Sequence, residues 1–215
     1  MNVEKYTELL IKWNEKFNLT AAGSREAIRE RHFEDSWALL PYIPPGSRVI
    51  DIGSGAGFPG AALKIAEETL DVTLLDSLLK RVNFLRAAER EIALPLNPVH
   101  ARAEDAAHEP DFRERYDFAV SRAVAALPLL ACWCLGFVRV GGRFIAMKGA
   151  DCAGEAREAE EACALMGGKI TEIRPYVNSG ASRSLIFIDK ISETPENFPR
   201  KLVKKLKFEK KRQPF

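Results

Sequence analysis

The chain lacks the residue patterns of several function classes. Its four cysteines, Cys132, Cys134, Cys152 and Cys163, form no C-x-x-C pair, and its three histidines, His32, His100 and His108, stand far apart. No zinc or redox spacing results, so no metal is expected. Cys132 and Cys134 sit two apart on an expected helix and face different directions, and all four cysteines read as buried, inert thiols. Long apolar runs are missing too. Nowhere does the chain approach the ~18 uninterrupted apolar residues of a membrane-spanning helix. The opening MNVEKYTELLIKWNEKF is charged throughout and lacks the apolar centre of a signal peptide, so a cytoplasmic protein without membrane contact is expected. There is no internal repeat. A large charge excess is also absent: 32 Lys and Arg face 30 Asp and Glu, for a net charge of +2. That balance hides an asymmetry. Arg200–Arg212 holds eight basic residues against one acid, Glu209, which leaves the rest of the chain net negative.

What is present suits one well-buried α/β domain with an appendage, since 215 residues can enclose a sizeable core. Val3, Tyr6, Leu9, Leu10, Trp13 and Phe17 predict a helix, and Ser24 N-caps a second one reaching about Leu40. Pro41, Pro44, Pro45 and Gly46 close this preface, so residues 1–45 read as a helical extension packed on a sheet. Through residues 46–192 strands and helices alternate. Strands are expected at 48–52, 71–76, 98–101, 116–121, 142–148, 170–176 and 184–190, and helices at 59–68, 79–92, 155–166 and after the fourth strand through Leu135. A basic tail, 193–215, follows. The alternation implies a mainly parallel, doubly wound sheet. The last two strands, joined at Asn178-Ser179-Gly180, imply an antiparallel finish that Rossmann dehydrogenases lack.

The stretch VIDIGSGAGFPG, residues 49–60, contains two overlapping glycine signatures. Gly55-Ala56-Gly57-Phe58-Pro59-Gly60 fits the dinucleotide fingerprint, and Gly53-Ser54-Gly55-Ala56-Gly57 follows an acid as in S-adenosylmethionine loops. Both place glycines where a strand turns tightly into a helix. Asp51 separates them. A carboxylate there repels a pyrophosphate but accepts hydrogen bonds from an α-ammonium group. Asp76, 19 residues after Gly57, suits a ribose diol in either case and also suits a helix N-cap. No substrate domain for hydride transfer follows. These features favour S-adenosylmethionine.

Together with Phe17-Asn18-Leu19-Thr20, His32-Phe33-x-Asp35-Ser36, Lys80-Arg81, Phe84-Leu85, Arg102-Ala103-Glu104, Ser121-Arg122-Ala123 and Lys148-Gly149, these residues resemble a bacterial family called RsmG or GidB. That family methylates a guanine N7 of small-subunit ribosomal RNA. The resemblance implies a class I S-adenosylmethionine methyltransferase, Rossmann-like, with a mainly parallel seven-stranded sheet and an N-terminal helical extension. It implies that Gly53 and Phe58, on the loop with Asp51, Gly55 and Gly57, contact the cofactor. Asp76 and Ser77 hold its ribose, Ala103 and Glu104 bracket its adenine, and Arg122 lines the site. It also implies that Lys80, Arg81 and Lys148 face the RNA. The C-terminus departs from the family's basic, proline-rich ending: it keeps Phe198-Pro199-Arg200 but turns lysine-rich from Lys201, and this run, opened by Arg200 and Lys201, reads either as a phosphate-binding cluster or as a solvated tail. The implied partner is 16S rRNA or the small subunit, met by a monomer. Plainer roles compete: Lys80 and Arg81 as a charged helix face, Glu104 as a solvated loop acid, Arg102 and Arg122 paired with carboxylates such as Asp105 or Asp117, His32 as a satisfied buried or half-buried histidine, and Asn18 and Thr20 as turn formers.

No catalytic side chain is expected. The loop Ser121-Arg122-Ala123-Val124 lacks the cysteine nucleophile of cytosine C5 methylation and the Asp/Asn-Pro-Pro-aromatic turn of amino methylation. Guanine N7 needs neither, because its lone pair is nucleophilic without loss of a proton. Catalysis by positioning is expected, an effect of up to about 7–11 kcal/mol.

Overall fold

In the computed structural model, which describes residues 1–200, 202 and 203, the chain opens with α1, Asn2–Phe17. Tyr6 and Leu10 of its apolar stripe are buried, and Asn18 ends it with φ 48°, a conformation that a short polar side chain tolerates. The single helix expected from Ser24 to Leu40 is divided. Ser24 does cap α2, Arg25–Ile28, accepting from the Ala27 N–H at 3.1 Å. A π-helical turn then spans Arg29–Glu34, followed by α3, Asp35–Trp37, and a 3-10 turn, Leu40–Tyr42. The physical reason is tertiary. Two successive carbonyls of the widened turn receive donors distant in sequence, Glu30 from Asn178 at 2.9 Å and Arg31 from Arg122 at 3.0 Å, and the next, His32, receives the local Ser36 hydroxyl at 2.5 Å.

Strand and helix then alternate: β1 Arg48–Ile52, α4 Gly60–Ala66, β2 Asp71–Asp76, α5 Leu79–Ile92, β3 Pro98–His100, α6 Ala103–Ala106, β4 Tyr116–Arg122, α7 Leu127–Cys134, β5 Val138–Gly149, α8 Ala153–Leu165, β6 Gly168–Asn178 and β7 Ala181–Lys190. One sheet of order β3-β2-β1-β4-β5-β7-β6 results. β1 to β5 run parallel, and β7 runs antiparallel to β5 and β6. This is the expected class I methyltransferase sheet. α6 was not foreseen, since four residues carry no readable period. β5 starts at Val138, earlier than expected, because Val138 pairs with Tyr116 across an irregular register.

Both faces of the central strands are covered, which explains why neighbouring Val49 and Ile50 of β1 are both apolar and buried. Ile50 and Ile52 enter one cluster with α7 and α8, and Val49 enters the other with α1, α4 and α5. The helical N-terminal segment therefore shares the core of one sheet face. All four cysteines are buried, and burial raises the Cys132 and Cys163 thiols to about 12. Among the described residues no cluster of His, Cys, Asp and Glu is arranged to hold a metal ion, and no helix is long and apolar enough to cross a membrane.

Candidate active site

β1 lies between β2 and β4, so the chain leaves it in opposite directions and a crevice opens at the carboxyl ends of the strands. The glycine loop fills this edge. Gly53 donates to the Leu75 carbonyl at 2.8 Å and Gly55 to Asp76 Oδ2 at 2.9 Å. Two glycines hold positive φ beside a close neighbour. At Gly53, φ 73°, a Cβ would stand 2.7 Å from Val124 Cγ2; at Gly57, φ 88°, it would strike the Tyr6 hydroxyl. That hydroxyl donates to the Ala56 carbonyl at 2.8 Å, so α1 clasps the loop from behind.

Asp51 and Asp76 are the buried acidic side chains beneath the loop. Asp51 is fully buried; Oδ2 accepts from the Gly60 N–H at 2.8 Å, while Oδ1 has no hydrogen-bond partner. Burial raises its carboxyl to about 7, against the Gly60 hydrogen bond and the Arg122 charge. Asp76 accepts from Gly55 and, at 2.8 Å, from the Leu78 N–H, and it pairs with Arg81 at 3.2 Å. Asp76 thus partners both the loop and the start of α5.

Three adjoining cavities cross the crevice. The first, about 220 Å³, is lined by Ser77, Ala103, Glu104 and Trp133 with Gly53 and Val124. The second, about 270 Å³, lies over the loop against Ser54, Gly55 and Phe58 and shares Gly53 and Val124 with the first. The third, about 370 Å³, shares His32, Arg122 and Ala123 with the second and is closed by Lys148, Tyr176 and Arg183.

Arg122, the last residue of β4, joins the pieces. Its guanidinium pairs with Asp35 Oδ2 at 2.8 Å, donates to His32 Nδ1 at 3.0 Å and lies 5.5 Å from the Phe58 ring centre. Its partner is Asp35, neither of the carboxylates expected. An arginine only donates, so His32 Nδ1 accepts, and Nε2 carries the proton shared with Thr20 Oγ1 at 2.6 Å. Desolvation, then the Arg122 charge, lowers His32 to about 4, which keeps the ring neutral as it stacks on Phe58 at 4.8 Å. Tyr176 donates to the other Asp35 oxygen at 2.8 Å, tying β6 into the network.

The basic residues expected at RNA separate into groups. Lys148 lines the third cavity, donating to the Ala125 carbonyl and Glu155 at 2.8 Å each. Arg81 lines the second cavity beside Asp76, and Lys80 is exposed, 3.5 Å from the Phe17 carbonyl. Arg200 stands apart, paired with Asp105 at 2.9 Å. Lys201 lies outside the described residues. Sequence reasoning missed Ser54, Arg31, Trp133, Tyr176 and Arg183. Ser54 sat in plain view within the glycine loop, buried with no partner for its hydroxyl. Tyr176 and Arg183 carry no local signal, since only the folding of β6 and β7 brings them here.

Known proteins resemble this chain in sequence and in fold. The family model GidB, rRNA small subunit methyltransferase G, matches residues 1–186. The ribosomal RNA small subunit methyltransferase G of Alkaliphilus metalliredigens strain QYMF is 44% identical over 203 residues, 91% of this chain and 84% of that one. Its counterpart in Acetivibrio thermocellus is 45% identical over 200 residues, 91% and 82% of the two chains. Among solved structures, TrmN from Thermus thermophilus matches with a TM-score of 0.53 at 20% identity, covering 74% of this chain and 48% of that one. The T. thermophilus 16S rRNA N2 G1207 methyltransferase, in complex with AdoMet and guanosine, matches at 0.51 and 20%, covering 78% and 40%. At such identity these structures speak for the fold.

Proposed function

The chain belongs to the GidB family of rRNA small subunit methyltransferases G, and from that premise we propose that it transfers the methyl group of S-adenosylmethionine to N7 of a guanine in 16S ribosomal RNA. The cofactor supplies an electrophilic methyl group on a sulfonium. The residues fit it. Asp51 Oδ1 and Ser54 Oγ are buried polar atoms without partners, and a methionine α-ammonium group has donors to offer such atoms, directly or through water. Gly53 and Gly55 let the backbone come close, Gly57 makes room for Tyr6 behind the loop, and Phe58 walls the second cavity. Asp76 and Ser77 serve the ribose, and Ala103 and Glu104 the adenine in the first cavity.

The third cavity receives the guanine, with Arg122 at the boundary between base and cofactor. No base is needed, and the network offers none. His32 uses both ring nitrogens, and Asp35 uses both oxygens. These residues act by orienting the ring and excluding water. The observation that carries the reading is the shared wall of His32, Arg122 and Ala123, which brings a nucleobase-sized cavity against the glycine-loop cavity. We propose that it acts as a monomer in the cytoplasm, where ribosomal RNA is found.

The experiment is transfer of labelled methyl to 16S rRNA, and to small subunits, that lack their own modification, followed by nucleoside analysis. Label is expected as 7-methylguanosine. Label on another nucleoside would end the N7 assignment, and no transfer to either substrate by a cofactor-binding protein would end the rRNA assignment.

A further inference from the structure

We propose that Arg31 and Arg183 form a phosphate clamp at the mouth of the third cavity, gripping the RNA backbone on either side of the nucleotide whose base enters it. This deepens the function proposed above and rests on it. Four cationic side chains line the cavity, and two of them are committed to internal partners: Arg122 to Asp35 and Lys148 to Glu155. Arg31 and Arg183 are exposed, and among the described residues neither guanidinium has a hydrogen-bond or ion-pair partner. The acid lining the cavity, Asp35, is already held by Arg122 and Tyr176, so its charge is met before any anion arrives.

The two arginines stand on different walls. Arg31 belongs to the π-helical turn; Arg183 belongs to β7, opposite Gly149 of β5 and Tyr176 of β6. Two hydrogen bonds lock the walls together, Asn178 to the Glu30 carbonyl and Tyr176 to Asp35. The two walls are therefore held in place by folded structure, while the guanidiniums they carry are left free to reach a ligand. A planar fork of donors matches a phosphodiester. A base splayed from its strand draws its two flanking phosphates to the rim of the pocket that takes it.

The test compares the full-length protein with Arg31→Ala, Arg183→Ala, the double variant and the double lysine variant. Rates of methyl transfer to unmodified 16S rRNA, RNA affinity at several salt concentrations and S-adenosylmethionine affinity are measured. Each alanine should lower kcat/KM for RNA on the order of tenfold, reduce the salt slope by about 0.7 and leave cofactor affinity unchanged. The lysine pair should restore the slope. Variants that match a working wild type in rate and slope overturn the clamp alone. A wild type that neither binds nor methylates the RNA, yet binds cofactor, overturns the clamp together with the function it rests on.

Discussion

At the end of β1, Asp51 carries an electrostatic conflict between burial, which raises its carboxyl to about 7, and the Gly60 N–H and Arg122, which favour the anion. A raised carboxyl contributes stability in its protonated form, and that contribution is lost as pH climbs from the ordinary carboxylate range through about 7. Asp51→Asn should therefore melt higher than wild type at pH 8 without cofactor, with the gap shrinking toward pH 4. Its S-adenosylmethionine affinity, read by calorimetry, should fall at least tenfold because an ammonium loses its anion. Wild-type affinity should weaken as pH drops below about 7. Equal cofactor affinity in the variant would remove Asp51 from the site. His32 behaves in the opposite sense. Its folded value of about 4 lies below the ordinary 6.5, so its contribution is complete above 6.5 and is lost as pH falls toward 4. His32→Gln should cost on the order of 2 kcal/mol at pH 7 and clearly less at pH 4.5, by urea unfolding.

Among the elements, the glycine loop and the π-helical turn behave differently as objects of sequence reading. The loop was legible because its causes are local: a strand, glycines at positive φ and a helix start fall within twelve consecutive residues, 49–60. The behaviour of its individual glycines was not. Gly57→Ala should destabilise by about 3 kcal/mol, since it adds positive-φ strain and drives the buried Tyr6 hydroxyl off Ala56. Gly53→Ala should cost about 1 kcal/mol of backbone strain, because half-exposed Val124 can rotate away. Chemical denaturation of the two variants checks the ranking, and equal costs would refute it. The π-helical turn was illegible because donors from Asn178 and Arg122, distant in sequence, hold it.

For the molecule as a whole, the C-terminal segment is sewn to the sheet before the basic run begins. Arg113 donates to the carbonyls of Ala107 and Phe198 at 3.1 Å, and of Thr194 and Pro195 at 2.5 and 3.1 Å. Buried Lys190 pairs with Glu114 at 2.9 Å, and Leu202 and Val203 lie in the core. Truncation after Phe198 should therefore cost about 3 kcal/mol or more from two lost aliphatic side chains. Thermal melts check this, and a truncated protein that melts like the full chain would show that Leu202 and Val203 add nothing to the core. The sequence by itself determined the alternating α/β order, the antiparallel finish, the glycine loop and the type of cofactor, because each rests on periodicity or on neighbours within one turn. Only the tertiary structure decided that Thr20, His32, Asp35, Arg122 and Tyr176 form one network, and that Arg31 and Arg183 flank one cavity. Those contacts join residues whose separation along the chain has no fixed relation to distance. They exist because the sheet order brings the ends of β4, β5 and β6 against the helical preface, and burial there lets hydrogen bonds to charged groups outweigh the cost of ordering them.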